Sequence, residues 1–113
     1  MIAVNVFVDS EGEHRGFRIS GHAGFGEPGE DIVCAAVSVL AQNTVNAIEA
    51  FTEDSFLCSV EDGYLDCSFS GKVSKETKLL LNTMLLGLES IRDSSPKEDQ
   101  KGDPFIWIMT EEV

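Results

Sequence analysis

Residues 56–69 read FLCSVEDGYLDCSF, and they carry the strongest short-range structural signal in the chain. Asp62-Gly63 at the centre is typical of a two-residue β-turn, because both turn positions must accept a positive φ. Pairing the residues outward from this turn places Val60 opposite Leu65 and Phe56 opposite Phe69, and these four side chains fall on the same face. The stretch therefore predicts a β-hairpin with one apolar face and one polar face.

The same pairing places Cys58 opposite Cys67 on the apolar face. The two side chains could form a redox pair, or they could be two small buried hydrophobic residues, and we favour the second interpretation. With Cys34 the chain has three cysteines, at irregular spacing and without a C-x-x-C motif, which predicts neither a disulfide framework nor a zinc site. This cysteine usage indicates a reducing cytoplasm.

A second hairpin is predicted at the amino-terminal end of the sequence. Apolar residues alternate from Val4 to Val8, and the period of two returns after the polar stretch SEGE at 10–13. A two-residue turn at Glu11-Gly12 would place Val4 opposite Ile19 and Val6 opposite Phe17. In the same interpretation His14 is a solvated residue in or near the turn.

Two helices follow from apolar residues at helical spacing. The first is predicted from near Asp31 to about Phe51, and the second after Ser74, which suits an N-cap. Leu79 and Leu86 lie off the main apolar stripe of the second helix. A helix that is apolar on more than one side either lies deep in a core or contacts a second chain, and the small size of the domain favours a second chain.

The last element is predicted from FIWIM at 105–109, which is apolar at every position and is typical of a buried strand. A polar connection at residues 93–104 separates it from the second helix. The resulting order ββαββαβ predicts an α/β (α+β) domain with two helices on a mainly antiparallel sheet. We expect residues 1–113 to form one domain with its own core.

The charge balance is strongly acidic. Twenty acidic and eight basic residues give a net charge of −12. Such a surface repels phosphate backbones, which argues against direct nucleic-acid binding. It could attract a basic partner, or it could serve only to keep the protein soluble. The longest apolar run, IVCAAVSVLA, is interrupted by a serine and is too short to predict a membrane span, so a cytoplasmic protein without membrane contact is expected.

Candidate catalytic residues flank a glycine-rich loop in SGHAGFGEPGEDIVCAAVS at 20–38. His22 follows the second predicted strand, and Cys34 lies near the start of the first helix. The helix start stabilises a thiolate by only about 1 kcal/mol. The carboxylates of Glu27, Glu30 and Asp31 oppose it, but an imidazolium ~4 Å away would add on the order of 4 kcal/mol. A Cys34–His22 pair could therefore act as nucleophile and general base.

Other interpretations of this segment are open or disfavoured. Cys34 could instead be a packed small residue, and the loop could be an ordinary strand-to-helix connection. Two histidines and three scattered thiols give no metal-ligand spacing, and the loop has no lysine or arginine for phosphate. Neither a metal nor a cofactor is predicted.

The residues GHA at 21–23 and GEDIVCAAVS at 29–38 resemble the ribosomal-processing cysteine protease family of Firmicutes and related bacteria. The chain length and element order are similar as well. The resemblance implies a cytoplasmic cysteine protease that removes a short amino-terminal extension from a large-subunit ribosomal protein. It implies Cys34 as nucleophile and His22 as general base, and a homodimer.

The roles of two neighbouring residues stay open. Asp31 could cap the first helix, orient His22 or bind a basic substrate residue. Ser38, one turn beyond Cys34, could hydrogen-bond near the thiol or return a bond to the helix backbone.

Two further functions are weighed against the protease. One is a non-enzymatic acidic module that binds a basic ribosomal component. The other is a thiol redox sensor in which Cys34 oxidises and Cys58 or Cys67 resolves it.

Overall fold

A computed structural model describes residues 2–21, 30–61, 63–94 and 105–113, with the backbone alone at residues 30 and 31. The element order is ββαββαβ, as predicted, with two helices packed on one face of a five-stranded sheet. The elements are β1 Ile2–Val8, β2 His14–Ser20, α1 Glu30–Phe51, β3 Phe56–Glu61, β4 Tyr64–Phe69, α2 Lys75–Ser94 and β5 Ile106–Glu112.

The strands lie in the order β3-β4-β2-β1-β5, and all neighbours are antiparallel except β1 and β5. The predicted pairs Val4–Ile19 and Val6–Phe17 are confirmed. The predicted two-residue turn between them is wrong. The pairing shifts by one residue between Phe7 and Val8, so Val8 lies opposite His14 and residues 9–13 connect the two strands.

Asp9 organises this longer turn. Its carboxylate accepts hydrogen bonds from the backbone N–H groups of Glu11, at 2.8 Å, and Glu13, at 3.0 Å. Asx turns of this kind compete with a tight hairpin for the same backbone groups. The turn residue therefore decides the loop length without changing which apolar residues meet across the strands.

His14 is the first residue of β2 and is half-buried, so its predicted solvation is wrong. Its Nδ1 is buried without a hydrogen-bond partner in the described part of the chain. Burial, followed by the positive charge of Lys78, lowers the pKa of His14, and Glu13 partly opposes this shift. Lys78 Nζ and a Glu13 carboxylate oxygen are 2.9 Å apart.

The predicted pairs Val60–Leu65 and Cys58–Cys67 of the second hairpin are confirmed, and the observed register runs from Glu61–Tyr64 to Phe56–Phe69. Its apolar face is less buried than predicted, because β3 is an edge strand and Val60 is 63% exposed.

The preference for two unlinked thiols in this hairpin is wrong. A disulfide joins Cys58 and Cys67, whose Cα atoms are 4.2 Å apart. The two residues form a non-hydrogen-bonded pair, which is the closer of the two antiparallel spacings and brings the side chains together. Cys34 is not part of a disulfide.

Helix α1 begins at Glu30, one residue before the predicted start, and ends at Phe51 as predicted. Its buried stripe consists of Val33, Val37, Ala41, Thr44 and Ile48. The segment Ile32–Phe51 is long and apolar enough to cross a membrane, with a mean hydropathy of 1.3. One stripe of α1 packs in the domain core, and 28% of this segment is buried in the structure.

The predicted cap of α2 is confirmed, since Ser74 Oγ accepts a hydrogen bond from the Thr77 N–H at 3.2 Å. Asp54 reinforces the cap: its Oδ2 accepts from the Ser74 N–H at 2.9 Å and from the hydroxyls of Ser74 and Thr77. The hydrogen bonds from Ser74 and then Thr77 lower the pKa of Asp54. This network fixes the α1–β3 connection to the start of α2.

The last strand corrects one more prediction. β5 lies at the second edge of the sheet and pairs in parallel with β1. Phe105 and Ile106 are buried, whereas Trp107 is 50% exposed on the face without helices, so the strand is buried on one side only. Residues 95–104 of the predicted polar connection lie outside the described part of the chain.

Candidate active site

A cleft opens where the first turns of α1 meet one end of the sheet, and Cys34 forms part of its wall. We call it the Cys34 cleft. Its other walls come from the start of β1, the end of β2 and the turn end of the β3–β4 hairpin. Its lining residues are Ile2, Ile19, Gly21, Cys34, Val37, Ser38, Ala41, Gln42, Val60, Glu61, Gly63, Tyr64 and Leu65.

The strand ends that build the cleft are held by backbone hydrogen bonds. The N–H of Gly21 donates to the Gly63 carbonyl at 3.0 Å, and the N–H of Ile2 donates to the Phe105 carbonyl at 2.7 Å. Gly21 has φ 103°, a conformation that favours glycine and turns the chain as it leaves β2. The cleft is therefore fixed by sheet pairing on one side and by α1 on the other.

Cys34 is half-buried within the first turns of α1. The neighbouring Val33 and Val37 are buried in the core, so the helix cannot rotate without exposing them, and the Cys34 side chain is directed to the cleft. The first backbone N–H groups of a helix have no intrahelical acceptor and carry partial positive charge. Cys34 is therefore a thiol on a rigid element beside an open cleft, which is a suitable position for a nucleophile.

The structure describes only some of the other predicted site residues. Ser38 lines the cleft one turn beyond Cys34 and is exposed. His22 and the side chain of Asp31 lie outside the described residues. Gly21, the residue before His22, lines the cleft.

Several cleft residues were not predicted from the sequence. Tyr64 is held at the rim because its hydroxyl donates to Asp66 Oδ2 at 3.0 Å. The guanidinium of Arg18 lies 5.9 Å from the centre of the Tyr64 ring and donates from Nε to the same Asp66 oxygen at 2.9 Å. The i, i+2 spacing of Tyr64 and Asp66 places them on one face of β4, but only the pairing of β2 with β4 brings Arg18 between them.

Gln42 and Val60 were also missed. Gln42 continues the row of Cys34 and Ser38 along α1, so the spacing of four residues was a usable signal. No comparable signal marked Val60, because its alternation in β3 predicted burial.

Comparison with known proteins gives matches over most of the chain. A sequence model of the family described as cysteine protease Prp matches residues 1–100. The ribosomal processing cysteine protease Prp of Staphylococcus aureus is 35% identical over 95 residues, which are 82% of this chain and 90% of that protein. The Bacillus subtilis protein of the same name is 32% identical over 81 residues, covering 66% and 72% of the two chains.

Solved structures match over almost the full length. The crystal structure of the S. aureus ribosomal processing protease Prp with a substrate peptide has a TM-score of 0.81 at 29% identity. It covers 98% of this chain and 100% of that chain. The structure of the S. aureus protease with a covalently linked product peptide has a TM-score of 0.79 at 30% identity, with the same coverage.

An α+β domain with a cysteine directed from a helix start into a cleft, and with these relatives, is a cysteine protease. The match over residues 1–100 then narrows the assignment. The chain belongs to the cysteine protease Prp family, whose named relatives act in ribosomal processing.

Proposed function

We propose that this protein is a cytoplasmic endopeptidase that removes a short amino-terminal extension from a bacterial large-subunit ribosomal protein. Cys34 is the nucleophile, and His22 is the general base and proton donor. The observation that carries the proposal is the position of Cys34 in a cleft whose opposite wall includes Gly21, the residue before His22. His22 directly follows this cleft residue in the sequence, which supports its proposed role.

The proposed reaction has two stages. His22 takes the proton of the Cys34 thiol, the sulfur attacks the scissile carbonyl, and a C–S bond forms as the carbonyl becomes a tetrahedral oxyanion. The C–N bond then breaks, His22 gives its proton to the departing amine, and a thioester remains on Cys34. A water molecule that loses its proton to His22 attacks the thioester, which releases a carboxylic acid and restores the thiol. The covalently linked product peptide on the S. aureus relative supports a covalent stage.

The helix start assists this chemistry in the proposal. Backbone N–H groups near Cys34 that lack intrahelical acceptors stabilise the oxyanion. Ser38 contacts the substrate or the thiol from the same wall of the cleft, and Asp31 orients His22 or binds a basic substrate residue. No metal or cofactor enters any step.

The charge of the protein supports a basic substrate. The net charge is −12, and the exposed residue Glu61 is one of those that line the cleft. A ribosomal protein that binds RNA carries the opposite charge, which speeds encounter with an acidic enzyme. Direct nucleic-acid or membrane binding forms no part of this function.

The proposal is tested by incubating the enzyme with ribosomal protein that carries its extension and identifying the products by mass spectrometry. We expect one cleavage at the extension boundary. Cys34→Ala and His22→Gln should each abolish it while the circular dichroism spectrum is unchanged. His14→Gln is the matched control, since the chain has only two histidines and His14 starts β2 at the end remote from Gly21.

Two results would contradict the proposal. Binding of the extended protein without cleavage would support the acidic binding module instead. Full cleavage by either the Cys34 or the His22 variant would show that the dyad is not the catalytic pair.

We further propose that the protease is a homodimer formed through α2. Leu79 and Leu86 lie two turns apart on α2, on the same side of the helix, and are 67% and 65% exposed, so together they present an apolar strip that a second copy would cover. Leu79→Glu with Leu86→Glu should give a monomer by light scattering. The pair Asn82→Glu and Glu89→Gln on the same helix serves as the control, and a monomeric wild-type protein would refute the interface.

A further inference from the structure

A groove leads away from Cys34 along α1, and nothing in the dyad chemistry uses its far end. One wall is the row of Cys34, Ser38 and Gln42 on α1, and the other is formed by Val60 and Glu61 of β3. We call this space the α1–β3 groove. Its floor is apolar, since Val37 and Ala41 are buried beneath the helix row.

The length of the groove fits a short extended peptide. Cys34 and Gln42 are eight residues apart in one helix, which at 1.5 Å per residue is about 12 Å. An extended chain rises about 3.3 Å per residue, so roughly three to four peptide residues cover this distance. An α-helical ligand is about 10 Å across, and a single edge strand is too narrow to form the second wall that such a ligand would need.

The edge of β3 offers main-chain partners where Val60 lines the groove, and Cys58 lies two residues further along the same edge. The Cys58–Cys67 pair has the short Cα separation of 4.2 Å, which identifies it as non-hydrogen-bonded, and Val60–Leu65 has the same character two residues on. The N–H and C=O groups of Cys58 and Val60 therefore point away from β4. Within the described residues β3 pairs with β4 alone.

Gln42 completes the groove at its far end. Its side chain is exposed, lines the cleft and makes no hydrogen bond within the described part of the chain. A primary amide has both donors and an acceptor, which match the N–H and C=O of a peptide unit irrespective of sequence. The neighbouring Asn43 is exposed as well but is absent from the cleft wall.

From these positions we infer that the α1–β3 groove binds three to four substrate residues as an added strand on β3, with Gln42 contacting the residue furthest from the scissile bond. This inference rests on the proposed protease function. The partner is an extended polypeptide that is recognised through its main chain. Gln42 is thus a substrate-positioning residue that takes no part in bond breaking.

The test compares Gln42→Ala with Asn43→Ala on synthetic peptides spanning the cleavage site, shortened in steps from either end. Loss of one net hydrogen bond raises KM about five-fold on the long peptide, with kcat unchanged. The difference between Gln42→Ala and wild type should disappear once the peptide no longer reaches Gln42. Asn43→Ala should behave as wild type at every length, and all three proteins should melt at the same temperature.

A second measurement tests the added strand. Peptides N-methylated at one bond at a time cannot donate to a strand edge at that position. We expect poor cleavage at alternate positions, because only every second peptide unit faces β3.

The outcomes separate the two proposals. Equal KM values for wild type and Gln42→Ala on the long peptide, or uniform cleavage across the N-methylated series, would overturn the inference and leave the protease function standing. No cleavage of any peptide or extended protein by wild type would overturn the protease function and the inference together.

Discussion

Substituting Gly16 by alanine tests the pairing of β2 with β4, which places Gly21 and Tyr64 at the cleft. An added Cβ on Gly16 would lie 2.3 Å from the carbonyl oxygen of Cys67 and 3.3 Å from the Cα of Ser68. Real Cβ contacts are essentially never shorter than 3.0 Å, so the strands must separate by about 0.7 Å. Neither neighbour can rotate aside, because both are main-chain atoms.

The expected cost follows from this geometry. Overpacking costs typically 1–3 kcal/mol, and we take about 3 kcal/mol because the clash involves main chain beside two core residues, Phe17 and Cys67, each 1% exposed. Alanine recovers about 0.5–1 kcal/mol of the backbone entropy that glycine loses in a strand. The net destabilisation is roughly 2 kcal/mol. For a domain of this size 1 kcal/mol shifts the melting temperature by about 4 °C, so a decrease of about 8 °C is expected.

Thermal unfolding followed by circular dichroism measures this shift, and Gly87→Ala is the matched control. A Cβ on Gly87 would lie 2.6 Å from Leu40 Cδ2, which is the end of a flexible side chain. Alanine also gains about 1 kcal/mol over glycine inside a helix. Gly87→Ala should therefore melt near the wild-type temperature. A Gly16→Ala protein that melts within 2 °C of wild type, by the same scale of ~4 °C per kcal/mol, would refute the β2–β4 register.

Three further predictions concern stability. Asp54→Ala leaves the buried Thr77 hydroxyl and the Ser74 N–H without their acceptor, so the free energy of unfolding measured in urea should fall by about 1–3 kcal/mol. Because the folded pKa of Asp54 is lowered, this difference in stability between wild type and variant should vanish as pH falls through that folded pKa. The folded pKa of His14 is also lowered, so the unfolded chain binds the proton more readily and wild type should lose stability as pH falls below about 6.5, whereas His14→Gln should show no such loss. Reducing the Cys58–Cys67 disulfide should lower the free energy of unfolding by at most about 3 kcal/mol, since the loop that it closes is short. A denaturation midpoint that is unchanged by dithiothreitol would contradict this expectation.

Local patterns in the sequence predicted the strand pairing well. Asp62-Gly63 fixes the second hairpin because few turns fit those residues, and the alternation of Val4 and Val6 fixes the first through its single buried face. A register error of one residue would have exposed every apolar side chain. The turn at Asp9 changed the loop without changing these pairs.

Burial depended on sheet order, which no local pattern encodes. Val60 and Trp107 were expected in the core but lie on the two edge strands, where one or both faces are open. His14 was expected in solvent, but it is half-buried, and α2 brings the charge of Lys78 to that end of β2. Each error arises from contacts between residues far apart in the chain.

In the candidate site, too, local sequence signals predicted some residues, and contacts between distant residues decided others. Cys34 was singled out because His22 lies at the other end of the glycine-rich loop and because the surrounding motif resembles the processing proteases; a cysteine near a helix start would not have been enough alone. Tyr64 was not predicted, because its place at the rim depends on Asp66 of its own strand and Arg18 of the next. The pairing with His22 stays a prediction from the sequence.

The parallel contact between β1 and β5 has a consequence for how the enzyme comes to be active. Ile2 and Ile106 pair although about 100 residues separate them, and closing so long a loop costs roughly 3 kcal/mol more than closing either hairpin. This contact should be among the last to form, and it is the one that seats Ile2 in the wall of the cleft. During synthesis, a chain whose hairpins and helices have already folded would still hold an unfinished peptide-binding surface, and proteolysis would have to await the arrival of the final strand.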